Sequence, residues 1–200
     1  MTKIVSMQEL ETVQKVIEQG GVVAFPTETV YGLGVRFGSK EALNKLMEAK
    51  NRDYSKAITL MVSDKKDIEK YAHVSKTASL LIEHFMPGMM TLVLKKKEYV
   101  DSVMTNGKET IGIRIPDSDY VLSLLKQTGP MLVTSANISH HPNTTSTKEV
   151  LDQLDGRIDL IVDGKTSDNI ASTVVDVSTN DLKILREGKI TKEDIEEVLK

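Results

Sequence analysis

Apolar residues along this chain change their spacing repeatedly, from steps of three and four to short unbroken runs. Ser6 and Glu9 have capping-box spacing, and Leu10, Val13, Val16 and Ile17 then form a helical stripe that stops at Gly20-Gly21. Val22-Val23-Ala24-Phe25 predicts a short buried strand halted by Pro26. Ser39 is placed to cap a second helix whose inward face is Ala42, Leu43, Leu46 and Met47. Downstream the pattern predicts strands over 57–62, 91–94, 111–115 and 131–134, with helices over 64–71, 75–85 and 120–127. A polar loop runs over 135–145, and Ser146 with Glu149 repeats the capping-box spacing before a short helix. Strands follow over 158–162, 172–177 and 182–185, and Thr191 opens a closing helix carrying Ile195, Val198 and Leu199. Strands and helices interleaved in this way predict an α/β fold, with helices packed on a mixed sheet.

Composition narrows the picture. The 200 residues, 40% hydrophobic and 28% charged, fit one globular domain over 1–200, with no linker, repeat or low-complexity tract. The absence of cysteine excludes a disulfide scaffold, a zinc-thiolate or iron–sulfur site and a thiol nucleophile. A formal net charge of −3 gives no global positive field, so a polyanion must meet a local basic cluster. The first ten residues lack the apolar core of a leader peptide, and no apolar run approaches the ~20 residues of a membrane helix. The expectation is a soluble, cytoplasmic chain without membrane contact.

Residues ill suited to a plain core fall in three places. Pro26-Thr27-Glu28-Thr29-Val30-Tyr31-Gly32-Leu33-Gly34 follows a strand and reads as a glycine-closed turn. It is either a binding loop at a strand end or an ordinary turn with satisfied hydroxyls. Lys50-Asn51-Arg52-Asp53-Tyr54-Ser55-Lys56 sets three cations where a helix is ending. That is either favourable charge at a helix C-terminus or a phosphate clamp of one planar fork and two mobile ammoniums. Thr134-Ser135-Ala136-Asn137-Ile138-Ser139 offers hydroxyls and an amide that suit phosphate, ribose or base edges, and equally a local Asx or Ser turn. Arg114, Ser172 and Arg186 are lesser candidates, each with a bland surface alternative. His140 and His141 are adjacent and lack metal-ligand spacing, and the nine methionines are scattered as core filler. Neither a P-loop nor a Gly-x-Ser-x-Gly elbow occurs.

Taken in order, these segments resemble the YrdC-like family of threonylcarbamoyl-AMP synthases, in its short form, over residues 20–188. The resemblance is carried by the Pro26-to-Gly34 motif, Lys50-x-Arg52 with Lys56, and Pro87-Gly88 before Thr91-Leu92-Val93-Leu94. It continues through Gly112-Ile113-Arg114-Ile115-Pro116-Asp117, Ser135-Ala136-Asn137-Ile138-Ser139, Ser172-Thr173-Val174-Val175-Asp176 and Arg186-Glu187-Gly188. It implies an open twisted sheet with a central basic groove, and formation of L-threonylcarbamoyl-AMP and pyrophosphate from L-threonine, bicarbonate and ATP. The product serves tRNA threonylcarbamoyladenosine modification beside the anticodon, which makes tRNA or transferase subunits possible partners.

By the same resemblance Thr29, Arg114 and Ser172 surround L-threonine. Arg52, Lys56, Thr110, Ser135, Asn137, Thr145 and Arg186 bind ATP, and Tyr31 and Lys50 line the groove. Lys50 and Arg52 supply electrostatic catalysis without a general base, and Mg²⁺ arrives with ATP rather than on protein ligands. The chain departs from the family pattern at Ala57, Met61, Ser118, His140 and Met89-Met90. A threonine carbamate attacking the α-phosphorus brings two anions together, so cations and a closed groove are what the chemistry needs. The competing class is an RNA-binding module using the same groove without chemistry, for which aromatics at 4% are a poor endowment.

Overall fold

The computed structural model describes residues 1–51 and 58–200. Among these residues, ten strands join one mixed sheet: β1 (Lys3–Val5), β2 (Val23–Phe25), β3 (Gly32–Arg36), β4 (Thr59–Met61) and β5 (Met90–Lys95), then β6 (Thr110–Arg114), β7 (Met131–Ser135), β8 (Leu160–Val162), β9 (Thr173–Asp176) and β10 (Lys183–Arg186). Their order across the sheet is β1-β8-β2-β3-β7-β4-β6-β5-β9-β10. Seven α-helices among the described residues accompany them: α1 (Leu10–Glu18), α2 (Lys40–Ala49), α3 (Lys65–Tyr71), α4 (Lys76–Phe85), α5 (Asp119–Thr128), α6 (Thr147–Leu154) and α7 (Lys192–Val198). No helix among the described residues is long and apolar enough to cross a membrane.

Helix starts follow local chemistry. Ser39, Ser75, Ser118, Ser146 and Thr191 each accept a backbone N–H from the first turn of the helix they precede. The first helix differs from expectation. Ser6 donates its N–H and hydroxyl to the Glu9 carboxylate, which closes a turn one step upstream, and α1 begins at Leu10 without a side-chain cap. Two strands also escaped the hydrophobic pattern. β1 is three residues at an edge, pairing in parallel with β8. β3 occupies the expected glycine turn: it pairs with β2 on one side and β7 on the other. Its glycines hide the alternation, because Leu33 and Val35 fill one face while Gly32 and Gly34 lie against the Phe25 ring on the other.

Side chains alternate across each strand, so register assigns every residue to a face. On one face Leu33, Leu60, Leu92, Ile113, Leu132 and Val175 form the larger core with α2, α4, α6 and α7. On the other, Val23, Phe25, Met131 and Val133 are covered by Val13 and Ile17 of α1 and Leu124 and Leu125 of α5. That second cover reaches Met61 on β4. Beyond it, the same face of β4, β6, β5 and β9 floors a cavity.

Candidate functional site

The cavity holds about 220 Å³. Its floor is built in cross-strand rows. Val133, Thr59, Gly112 and Val93 are successive partners across β7, β4, β6 and β5. Two residues along, Met61 pairs with Arg114, and Thr91, Val174 and Arg186 continue over β5, β9 and β10. On the opposite side Gly32 pairs with Ser135. Thr27 and Thr29 from the β2–β3 loop, and Ala171 and Ser172 ahead of β9, complete the lining.

Arg114 is 5% exposed and held on three sides. Its Nε donates to the Gly88 carbonyl at 3.0 Å, and one Nη donates to Glu28 Oε1 at 2.7 Å and Thr29 Oγ1 at 3.2 Å. Glu28 Oε1 also accepts the Asp117 N–H at 2.9 Å, while its Oε2 is buried with no partner among the described residues. Arg186 is anchored on Ser172, donating from Nε to the carbonyl at 2.9 Å and from one Nη to Oγ at 3.1 Å. Ser172 Oγ lies 2.9 Å from Thr91 Oγ1. Burial, with a smaller push from nearby Arg114, holds the Arg186 guanidinium below the usual arginine range. Each arginine keeps its other Nη without a hydrogen-bond partner among the described residues. Two guanidiniums and one carboxylate leave these walls with surplus positive charge, in a form that suits a carboxylate or phosphate.

Of the sequence-predicted residues, the structure brings Thr29, Tyr31, Arg114, Ser135, Ser172 and Arg186 to this one cavity. Tyr31 borders it, but its phenol points elsewhere: the hydroxyl donates to the Val162 carbonyl and lies 3.0 Å from Thr147 Oγ1, and burial pushes its pKa up. Lys50, expected to line the groove, is instead buried behind the 135–139 turn and is not among the lining residues. Its ammonium donates to the carbonyls of Ser135 and Asn137, and its own carbonyl accepts the Ser139 N–H at 2.9 Å. A buried ammonium needs such oxygens, and this turn presents them. Asn137 also lies outside the lining residues, its Nδ2 donating to the carbonyls of Ile138 and His141 at 2.9 and 2.8 Å.

Thr145 faces a separate hollow with Lys165 and Asp168, where its N–H and hydroxyl donate to Glu149 and hold that carboxyl below the usual range. Thr110 shares the floor's face, two residues before Gly112, and pairs with Lys95 outside the lining. Arg52 and Lys56 lie outside the described residues. Reading the sequence assigned no role to Glu28, Thr59, Thr91 or Gly112. Alternation along β4, β5 and β6 carried the signal for the last three, since each sits two positions from another floor residue.

Among the described residues no group of three or more His, Asp or Glu is arranged to hold a metal. No Asp or Glu is among the described residues that line the cavity, whose guanidiniums and hydroxyls suit an anion.

Fold and site together define an α/β protein with an anion-accepting cavity floored by one face of its sheet. The chain belongs to the Sua5/YciO/YrdC family. The family model described as "Sua5_yciO_yrdC: Telomere recombination" matches residues 15–188. Threonylcarbamoyl-AMP synthase of Pyrococcus abyssi is 37% identical over 186 residues, covering 92% of this chain and 55% of that protein. The Bacillus subtilis protein of the same name is 38% identical, covering 92% of this chain and 54% of its own length. The chain thus spans about half the length of these curated relatives. The crystal structure of P. abyssi Sua5 complexed with L-threonine superposes with a TM-score of 0.93 at 33% identity, covering all of this chain and 61% of that one. Escherichia coli YciO superposes with a TM-score of 0.86 at 27% identity, covering 94% of this chain and 97% of that one.

Proposed function

We propose that this chain is an L-threonylcarbamoyladenylate synthase. The observation that carries the reading is the convergence of Arg114 and Arg186 on one cavity, flanked by Thr29 and Ser172. The P. abyssi relative solved with L-threonine supports an amino acid as one ligand.

Threonine's amine takes up bicarbonate and loses water, giving an N-carboxylate. A carbamate oxygen then attacks the α-phosphorus of ATP, and the bond from that phosphorus to its bridging oxygen breaks. Pyrophosphate leaves with the electron pair. Arg114 receives the threonine carboxylate, with Thr29 and Ser172 beside it. Arg186 and Ser135 face the nucleotide, joined by Arg52 and Lys56 through the family motif. Their positive charge offsets the repulsion between two anions and stabilises the departing pyrophosphate. Lys50 and Asn137 act one step removed, holding the turn that presents Ser135. Mg²⁺ supplies charge neutralisation on the triphosphate when bound there. The product is the donor for tRNA threonylcarbamoylation, and the enzyme works in the cytoplasm where these substrates are found.

Pyrophosphate release is the test. It should require ATP, bicarbonate and threonine together, and Arg52→Ala or Lys56→Ala should lower turnover about 10²-fold. Release independent of the amino acid would overturn the reading. So would salt-sensitive RNA binding without turnover, which marks a binding module.

A further inference from the structure

We infer that Thr59 and Gly112, partners across β4 and β6 in the middle of the cavity floor, form the seat where the two substrates react. The inference rests on the reading above and adds a catalytic residue to it. The bare glycine lets the carbamate and the α-phosphate down onto the sheet, and the Thr59 hydroxyl donates a hydrogen bond to a phosphate oxygen there.

The first observation is that the fold does not explain Gly112. The nearest atoms to a methyl group built on it are Thr91 Cγ2 at 3.5 Å, Thr59 Oγ1 at 3.8 Å and the Ile58 carbonyl at 3.9 Å, all ordinary contacts. Its backbone is regular strand, which alanine adopts freely, and glycine inside a strand weakens it. Gly34 differs, because a methyl there falls 2.6 Å from Met131 Cε and 2.8 Å from the Phe25 ring. Gly112 instead lines the cavity, in the same row as Thr59 and Val93.

The second observation is the state of the hydroxyls. Thr29, Thr91 and Ser172 are engaged with protein partners. Thr59 Oγ1, like the Thr134 and Ser135 hydroxyls at the cavity's other end, has no hydrogen-bond partner among the described residues, and of the three it is the one beside Gly112. A hydroxyl beside a bare glycine is a recognition element for a polar atom that rests between them.

The third is position. Arg114 lies two residues beyond Gly112 on β6, and Ser135 lies two residues beyond Val133, the partner of Thr59 on β7. The pair therefore stands between Arg114, assigned to the amino-acid carboxylate, and Ser135, assigned to the nucleotide, with Arg186 in the Arg114 row. As the carbamate oxygen bonds to phosphorus and the bridging oxygen departs, negative charge gathers on the non-bridging oxygens. The Thr59 hydroxyl stabilises that charge without giving up its proton.

Steady-state pyrophosphate release, threonine and ATP-analogue binding by calorimetry, and thermal melting test this together. Thr59→Val should lower kcat about 10²-fold with both dissociation constants within about threefold of wild type. Thr59→Ser should restore most of the rate. Gly112→Ala should melt at or above the wild-type temperature and lose about tenfold or more in kcat. Wild-type turnover in Thr59→Val, or a loss confined to substrate affinity, overturns the hydroxyl's role. Full activity in Gly112→Ala, or a lowered melting temperature that accounts for its loss, overturns the glycine's. An absence of pyrophosphate release from the wild type overturns the functional reading itself, and is distinguished from these results by the wild-type control alone.

Discussion

The Arg114–Glu28 pair shows how a cationic wall is kept folded. Its side chains are 6% and 9% exposed, and the carboxylate is bound through one oxygen to both the guanidinium and the Asp117 N–H. Removing one member of such a pair strands a buried charge, so Arg114→Ala should cost about 3–5 kcal/mol of stability as well as threonine affinity. Arg114→Met combined with Glu28→Gln should recover most of that stability in denaturant titration while threonine binding stays lost. The chemistry of Arg114 was legible because Arg in a strand before Pro116 is unusual enough to invite a ligand. Glu28 was not legible, since nothing in the order of residues says which of 29 carboxylates turns inward. Lys50 sits apart from the groove it was expected to line: a lysine among other cations reads as part of a phosphate clamp, and the order of residues does not show that the carbonyls of the 135–139 turn draw it inside.

Elements place these groups through close backbone approach and caps. Gly188 follows β10 and lies so near the 171–173 segment that a methyl group would stand 2.3 Å from the Ala171 carbonyl and 2.8 Å from the Thr173 nitrogen. Gly188→Ala must therefore push Ser172 away from Arg186. It should lower both the melting temperature and threonine affinity, unlike the same change at Gly112. The closing helix carries a full capping box, in which Asp194 accepts the N–H and hydroxyl of Thr191. Those bonds hold the Asp194 carboxyl below the usual range. Its contribution is therefore present above the unfolded pKa of about 3.9 and lost as pH falls through the lower folded value. Asp194→Asn should lower the melting temperature at neutral pH, and the two melting curves should converge toward pH 2. Simpler caps, a serine hydroxyl accepting one N–H, were readable at Ser39 and Ser146, whereas β3 was concealed because glycine carries no hydrophobic signal.

For the whole molecule, the alternation of periodicities was enough to read an α/β fold with helices on a mixed sheet. Strand order was not readable, because pairings such as β5 with β9 join segments about eighty residues apart. The site follows the same division. Residue types were visible in the motifs, but their convergence depends on which face each strand turns to the cavity. Because the cavity has one floor, ligands bound there brace several strands together. Threonine and an ATP analogue, each at about 100 times its dissociation constant, should each add ~2.7 kcal/mol and raise the melting temperature by ~5–10 °C. A differential scanning experiment without shift for either ligand would place their binding elsewhere.

Strict alternation under the cavity has a practical corollary. Leu60, Ile113 and Leu92 anchor one side of the very strands whose opposite positions, 59, 112 and 93, line the cavity. Side chains on the cavity face can thus be exchanged one at a time while the core face beneath them keeps its packing.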